Sequence, residues 1–183
     1  MTLIYRIGSL SDIPQLLGLS WAAYAPIREL GLPFPAATAT KALVETNLRE
    51  NLVLIAEKDG KMAATVSLQF PWNHPYLPYH YPYYWWLAVH PDFKRQGIAT
   101  QLLDHLETVI VRDKLHAPAL LLSTSRYHPW LIDFYLKRGY QNIGTLRYGK
   151  NASGIFLRKV LIPELLREDR EQVIEIDIRE KIK

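Results

Sequence analysis

The sequence predicts an α/β (α+β) fold, a mixed sheet flanked by helices, in a single domain with a C-terminal extension. Three observations carry this. Strand-like and helix-like periods alternate along the chain. Two strand pairs follow one another directly, within LVLIAEKDGKMAATVSL and in YQNIGTLRYG with GIFLRKVL, which breaks a pure βαβ repeat and mixes the sheet. A chain of 183 residues holds one sizeable core and is short for two. The domain is expected over 1–162 and a charged helix and strand extension over 163–183.

LIYRI (Leu3 to Ile7) alternates as a strand. Ser11-Asp12 starts a helix with Pro14 in its first turn, and Ile13, Leu16, Leu17 and Trp21 carry it to about Tyr24. The Pro-rich bend PIRELGLPFP leads to a second helix from about Ala36 to Arg49. Lys58-Asp59-Gly60-Lys61 reads as the turn of a hairpin. YYWWLAV is β-rich. From Gly97 the period becomes helical: Ile98, Leu102, Leu106, Val109 and Ile110 share a face that excludes Asp104, Glu107 and Arg112, and the helix ends near Leu115. APALLLSTS is a buried strand. Pro129 opens the next helix and Gly139 closes it. In the tail, Ile174, Ile176 and Ile178 alternate with charges, as a sheet edge or a homodimer contact would.

Composition excludes several function classes. No run approaches 18 apolar residues, so no membrane span is expected, and the N-terminus lacks the pattern of a signal peptide. The absence of cysteine removes disulfides, thiolate metal sites and a cysteine nucleophile, and fits a cytoplasmic protein. Neither a metal nor a membrane partner is expected. The net charge is +4, with basic residues spread along the chain, so nucleic acid is not an expected partner, although a small anionic ligand is compatible. Phe70 to Trp86, FPWNHPYLPYHYPYYWW, holds nine of the 21 aromatic residues and no Lys, Arg, Asp or Glu. Stacking grooves for single-stranded RNA interleave aromatics with cations, which argues against that use.

LAVHPDFKRQGIATQLLDHLE carries the chemistry. A buried strand ends at Val89, a Pro-containing turn and a basic segment follow, and Gly97 and Ala99 precede an amphipathic helix. Small residues, free N–H groups and the helix dipole suit a phosphate at such a junction. G-x-G-x-x-G is absent and no G-K-[ST] follows, so this is neither a dinucleotide fingerprint nor a P-loop.

Here the sequence resembles the GNAT superfamily of acetyl-CoA-dependent N-acetyltransferases. Lys94-Arg95-Gln96-Gly97-Ile98-Ala99 is similar to its [QR]-x-x-G-x-[GA] signature, with Lys94 in place of Gln or Arg. DFYLKRGY (Asp133 to Tyr140) is similar to its F-Y-x-x-x-G-[FY]. The resemblance implies a V-shaped sheet whose two central parallel strands, ending near Val89 and Ser123, splay to admit acetyl-CoA. The pantetheine would pair with Leu87, Ala88 and Val89, and the pyrophosphate would rest over Arg95 to Thr100. It implies an acetyl group moved to a primary amine, small molecule or peptide, by direct attack in a ternary complex.

Such a reaction needs a neutral amine, a held oxyanion and a protonated leaving thiolate. A lysine-like amine is about 3.4 units from neutrality at pH 7, or about 4.6 kcal/mol. The backbone N–H of Val89 is expected to meet the oxyanion, and Tyr135, matching the signature tyrosine, is the expected general acid. The base is less legible. Part of the family carries Glu where this chain has Ser123. His128, standing where an Asn usually touches CoA, could be a base, a cofactor contact or the cap of the helix begun at Pro129, with cap or contact favoured. His74 and His80 are further loop candidates. An α-amine or arylamine acceptor would relax the need for a strong base.

The acceptor site is expected from Tyr24 to Pro35, with Tyr24 and Arg28, together with Ser123 and an apolar wall of Trp72, Tyr76 and Tyr79. That wall could instead be a packing plug or dimer surface. Because no acidic base is visible, a catalytically silent acyl-CoA sensor acting through a partner stands as the alternative.

Overall fold

The computed structural model describes residues 2–32, 34–73, 80–128, 130–148, 152–166 and 174–177. An eight-stranded mixed sheet forms its spine, in the order β1-β2-β3-β4-β5-β7-β6-β8. The strands are β1 (Ile4–Ile7), β2 (Leu52–Lys58), β3 (Lys61–Gln69), β4 (Tyr83–Val89), β5 (Ala119–Ser125), β6 (Gln141–Tyr148), β7 (Ala152–Val160) and β8 (Ile174–Asp177). Parallel pairing occurs between β4 and β5 and between β6 and β8; the other neighbours are antiparallel. The expected fold class is therefore observed, and Ile174–Asp177 within VIEIDI forms an edge strand of the sheet. Pro163–Leu165 forms a single 3-10 turn where a charged helix was expected, and 167–173 and 178–183 lie outside the described residues.

The helices are α1 (Ile13–Ala23), α2 (Ala25–Glu29), α3 (Lys41–Glu50), α4 (Ile98–His105) and α5 (Leu131–Lys137). The Pro-rich bend after Tyr24 thus contains a helix that the sequence did not announce, and Pro26 occupies its first turn, where a missing N–H is harmless. The expected Ala36–Arg49 helix divides into a 3-10 turn over Pro35–Thr38 and α3, which starts after Thr40 accepts a hydrogen bond from the Leu43 N–H. The hairpin turn is as read: Asp59 and Gly60 both take positive φ, as a two-residue primed turn requires.

Two faces of the sheet are covered separately. Leu102, Leu103, Leu106 and Ile110 pack on one face against Leu54, Val66, Tyr84, Leu120 and Leu122. On the other, Ile13, Leu16, Leu19 and Val44 cover Val53, Ile55, Trp86 and Ala88. Each fully buried aliphatic side chain contributes about 1.5–3 kcal/mol.

A π-helix over Leu106–Lys114 continues α4 and changes the register. Its wider i→i+5 turns rotate Glu107 inward, where it is 2% exposed. The single α-helical period read through 97–115 had left Glu107 off the apolar face, and that expectation fails for this reason.

Candidate active site

β4 and β5 are held together at one end only. Their ladder consists of Tyr83 opposite Leu121, joined by the Leu121 N–H donating to the Pro82 carbonyl at 2.9 Å. Just beyond, the hydroxyls of Tyr83 and Ser123 meet at 2.7 Å. Among the described residues no backbone pairing continues between the two strands past this point, so Leu87, Ala88 and Val89 border a split in the sheet.

A bulge in β4 shapes that border. Thr65 pairs with Ala88 and Ser67 with Trp85, so Val66 alone opposes Trp86 and Leu87. Trp86 takes φ +54, a strained value for a bulky residue. Its indole is buried and donates to Ser20 Oγ at 2.6 Å, so packing on α1 holds the strain in place. The strict alternation expected along Tyr83 to Trp86 breaks here: Trp85 and Trp86 both pack on the α1–α3 side. The Leu87 carbonyl accepts the Tyr24 hydroxyl at 2.9 Å.

The segment after β4 forms a cradle. A 3-10 turn over Pro91–Phe93 leads to Arg95 at φ +61 and Gly97 at φ +72. Gly97 caps α4 without a side-chain acceptor, so the first-turn N–H groups of Ile98, Ala99 and Thr100 face outward unshared. Ile98 is a buried anchor, whereas Lys94, Arg95, Gln96, Gly97 and Thr100 are exposed. Gln96 is pinned from both ends, its amide donating to the Asp92 carbonyl at 3.1 Å and its oxygen accepting from Lys58.

Tyr135 of α5 stands edge-on to Tyr84 of β4, with ring centroids 6.2 Å apart, and is 5% exposed. Burial pushes its phenol up to about 12, with the Tyr84 hydroxyl and the Arg138 charge pulling the other way. Tyr24 is raised as well, by burial first and then by Tyr135. Both stay protonated at neutral pH.

His128 is 5% exposed and its Nδ1 has no hydrogen-bond partner. Burial lowers its pKa, which keeps the imidazole neutral. It does not cap α5: Trp130 holds that position, and its ring stands edge-on to His128 at 4.8 Å. Arg28 is committed to the scaffold, donating to the carbonyls of Ala37 and Trp21 at 2.8 Å each and lying 4.5 Å over the Trp21 ring. Trp72 is 73% exposed and stacks on Phe70. His80 is exposed, and His74, Tyr76 and Tyr79 lie outside the described residues, as does Pro129. The sequence reading missed Tyr84 and Glu107. Tyr84 sat unremarked inside YYWWLAV, and only an apolar strand interrupted by a phenol could have signalled it. No helix is long and apolar enough to cross a membrane among the described residues. A cavity of about 560 Å³ beside Arg112 and His116 lies at the opposite end of β5 from the split.

The sheet, the split and the cradle define a class, the acyl-transferring enzymes, and the comparisons agree. Residues 20–140 match the model of the acetyltransferase (GNAT) family. The chain belongs to that family and is an N-acetyltransferase. It is 43% identical to the S-(2-succino)cysteine N-acetyltransferase of Bacillus subtilis (strain 168) over 161 residues, 88% of this chain and 98% of that protein. It is 39% identical to the S-alkylcysteine N-acetyltransferase of the same organism over 162 residues, 88% and 90% of the two chains. The structure of the ribosomal-protein-S18-alanine N-acetyltransferase from Escherichia coli shares the fold, with a TM-score of 0.69 at 20% identity, covering 92% of this chain and 98% of that one.

Proposed function

We propose that this enzyme acetylates the α-amine of a cysteine whose sulfur already carries a substituent, using acetyl-CoA in a ternary complex. The carrying observation is the high identity, over 88% of the chain, to two enzymes named for cysteine conjugates. GNAT acetyltransferases use acetyl-CoA, and the site fits it. Unshared amides at the start of α4 and the left-handed Gly97 suit a pyrophosphate. The unpaired β4 border suits an amide-bearing arm, and the orphaned Nδ1 of His128 suits a ligand hydrogen bond. Domain 1–162 is the catalytic unit in this reading, with 163–183 an extension.

The chemistry of the acceptor explains the weak base. A terminal α-amine with pKa about 7.7–8.0 needs only about 1.0–1.4 kcal/mol to become neutral at pH 7, and somewhat more beside a free carboxylate. That is well below the lysine requirement, so water and desolvation suffice. Acetyl-CoA supplies the activated acetyl group and a thiol leaving group. The Val89 N–H stabilises the developing oxyanion. Tyr135 gives its proton to the departing sulfur, Lys94 to Thr100 hold the phosphates, and His128 contacts the cofactor. Tyr24 fixes the Leu87 carbonyl, and Ser123 with Trp72 borders the acceptor.

The test is thiol release from acetyl-CoA with S-(2-succino)cysteine, S-methylcysteine, S-benzylcysteine, lysine and a peptide α-amine. Turnover should be greatest with one of the three cysteine conjugates. Preference for lysine or the peptide would overturn the acceptor assignment.

A further inference from the structure

Three tyrosines and a buried carboxylate form a cluster of which the reaction outlined above uses Tyr135 alone. The rings of Tyr84, Tyr135 and Tyr140 stand edge to face in a triangle, with centroids 6.2, 6.2 and 5.8 Å apart. All three are 5% exposed or less. Tyr140 donates its proton to Glu107 Oε1 at 2.9 Å. Glu107 is charge-compensated by Lys159 at 2.5 Å and Arg138 at 3.0 Å, and Arg138 also reaches Asp104. The Tyr84 hydroxyl, 2% exposed as a residue, meets no partner at hydrogen-bond geometry.

A buried hydroxyl without a partner is expensive, and a native fold that keeps one has a use for it. Here the proton inventory restricts the use. Tyr140 has one proton, and Glu107 takes it. Tyr140 can therefore only accept from Tyr84. Tyr84 has one proton, and the rings of both Tyr140 and Tyr135 stand 6.2 Å from its own.

We propose that Tyr84 is a positioning residue whose O–H rests toward Tyr140 and turns to Tyr135 as Tyr135 gives up its proton. The inference rests on the acid role of Tyr135. When the Tyr135 O–H bond breaks and an S–H bond forms on the leaving thiol, a phenolate is left in a buried site. The Tyr84 hydroxyl then donates to it and keeps its own proton throughout. The phenol is restored by a proton from water, balancing the one the acceptor amine has released to water. Glu107 and Tyr140 hold the resting direction, so that Tyr84 does not accept from Tyr135 and hold back its proton. Titration agrees in sign: burial raises Tyr135, and its neighbour Tyr84 lowers it. The charged groups around the cluster are Glu107 from the π-helix, Asp104 from α4, Arg138 following α5 and Lys159 from β7.

The experiment is a double-mutant cycle by thiol release, with S-(2-succino)cysteine and S-methylcysteine each tried as acceptor. Tyr84→Phe keeps the ring and removes only the hydroxyl, and a thermal melt checks that the fold is kept. It should lower kcat about 10- to 100-fold, the range for a hydrogen bond to a charged oxygen, with KM for acetyl-CoA unchanged. In a Tyr135→Phe background the same change should have no further effect, whereas a role in packing would lower both backgrounds alike. Equal losses in both backgrounds, or a Tyr84→Phe enzyme at wild-type kcat, overturn the inference. Wild-type kcat in Tyr135→Phe alone would instead remove the acid role on which it rests.

Discussion

The hydroxyls of Tyr83 and Ser123 lie 2.7 Å apart, joining β4 to β5 at the point where the strands part. This contact closes one end of the split with a pair of neutral hydroxyls. Ser123→Ala should raise KM for the acceptor about 2- to 10-fold, the worth of one hydrogen bond, with kcat little changed. Steady-state kinetics with S-methylcysteine and S-(2-succino)cysteine check this. A drop in kcat at constant KM would place Ser123 in the chemistry instead.

Gly97 offers a sharper test of the cradle. Its φ of +72 excludes most side chains, although an added Cβ would meet only the Gln101 amide at 3.7 Å. Gly97→Ala should therefore cost about 1–2 kcal/mol through the backbone rather than through crowding. The new methyl would also stand between the backbone and the phosphates, so CoA affinity should fall on the order of tenfold. A thermal melt and calorimetric titration with CoA separate the two effects.

The fold was legible because its signals were local. Asp59-Gly60, Gly139 and the apolar run of APALLLSTS each sit inside their own element. The turn and helix start after β4 were legible for the same reason, since strand, turn and glycine are contiguous. Arg28 and Glu107 were not, because their partners come from elsewhere. Arg28 reads as a solvated charge until Ala37 and Trp21 fold beneath it, and Glu107 reads as surface until the π-helix turns it inward. The Tyr24–Leu87 contact spans 63 positions and needs a bulge that no single-strand pattern records.

Arg28→Lys should destabilise the protein almost as much as Arg28→Ala, by about 1–3 kcal/mol. An ammonium cannot serve two carbonyls and the Trp21 face in the geometry of a guanidinium. Denaturant unfolding measures it. If either variant instead keeps wild-type stability and raises the acceptor KM, Arg28 recognises substrate.

His128 links stability to pH with a definite sign. Burial lowers its pKa below the usual 6.5, so in the native state it binds protons less readily than in the unfolded chain. The unfolded state therefore takes up more protons as pH falls, and native stability is complete above about 6.5 and lost as pH drops toward the folded value. His105 is lowered too, by burial and then by Lys114, and contributes in the same direction. His128→Gln removes one of these two contributions and leaves His105 in place. Urea melts between pH 5 and 7.5 should then show a shallower acid-side loss for the variant than for the wild type. The same variant should bind CoA more weakly at pH 7.5, where the imidazole is neutral in any case, because the orphaned Nδ1 is gone. A variant with a flattened pH dependence but unaltered CoA affinity would make His128 a buried structural histidine and nothing more.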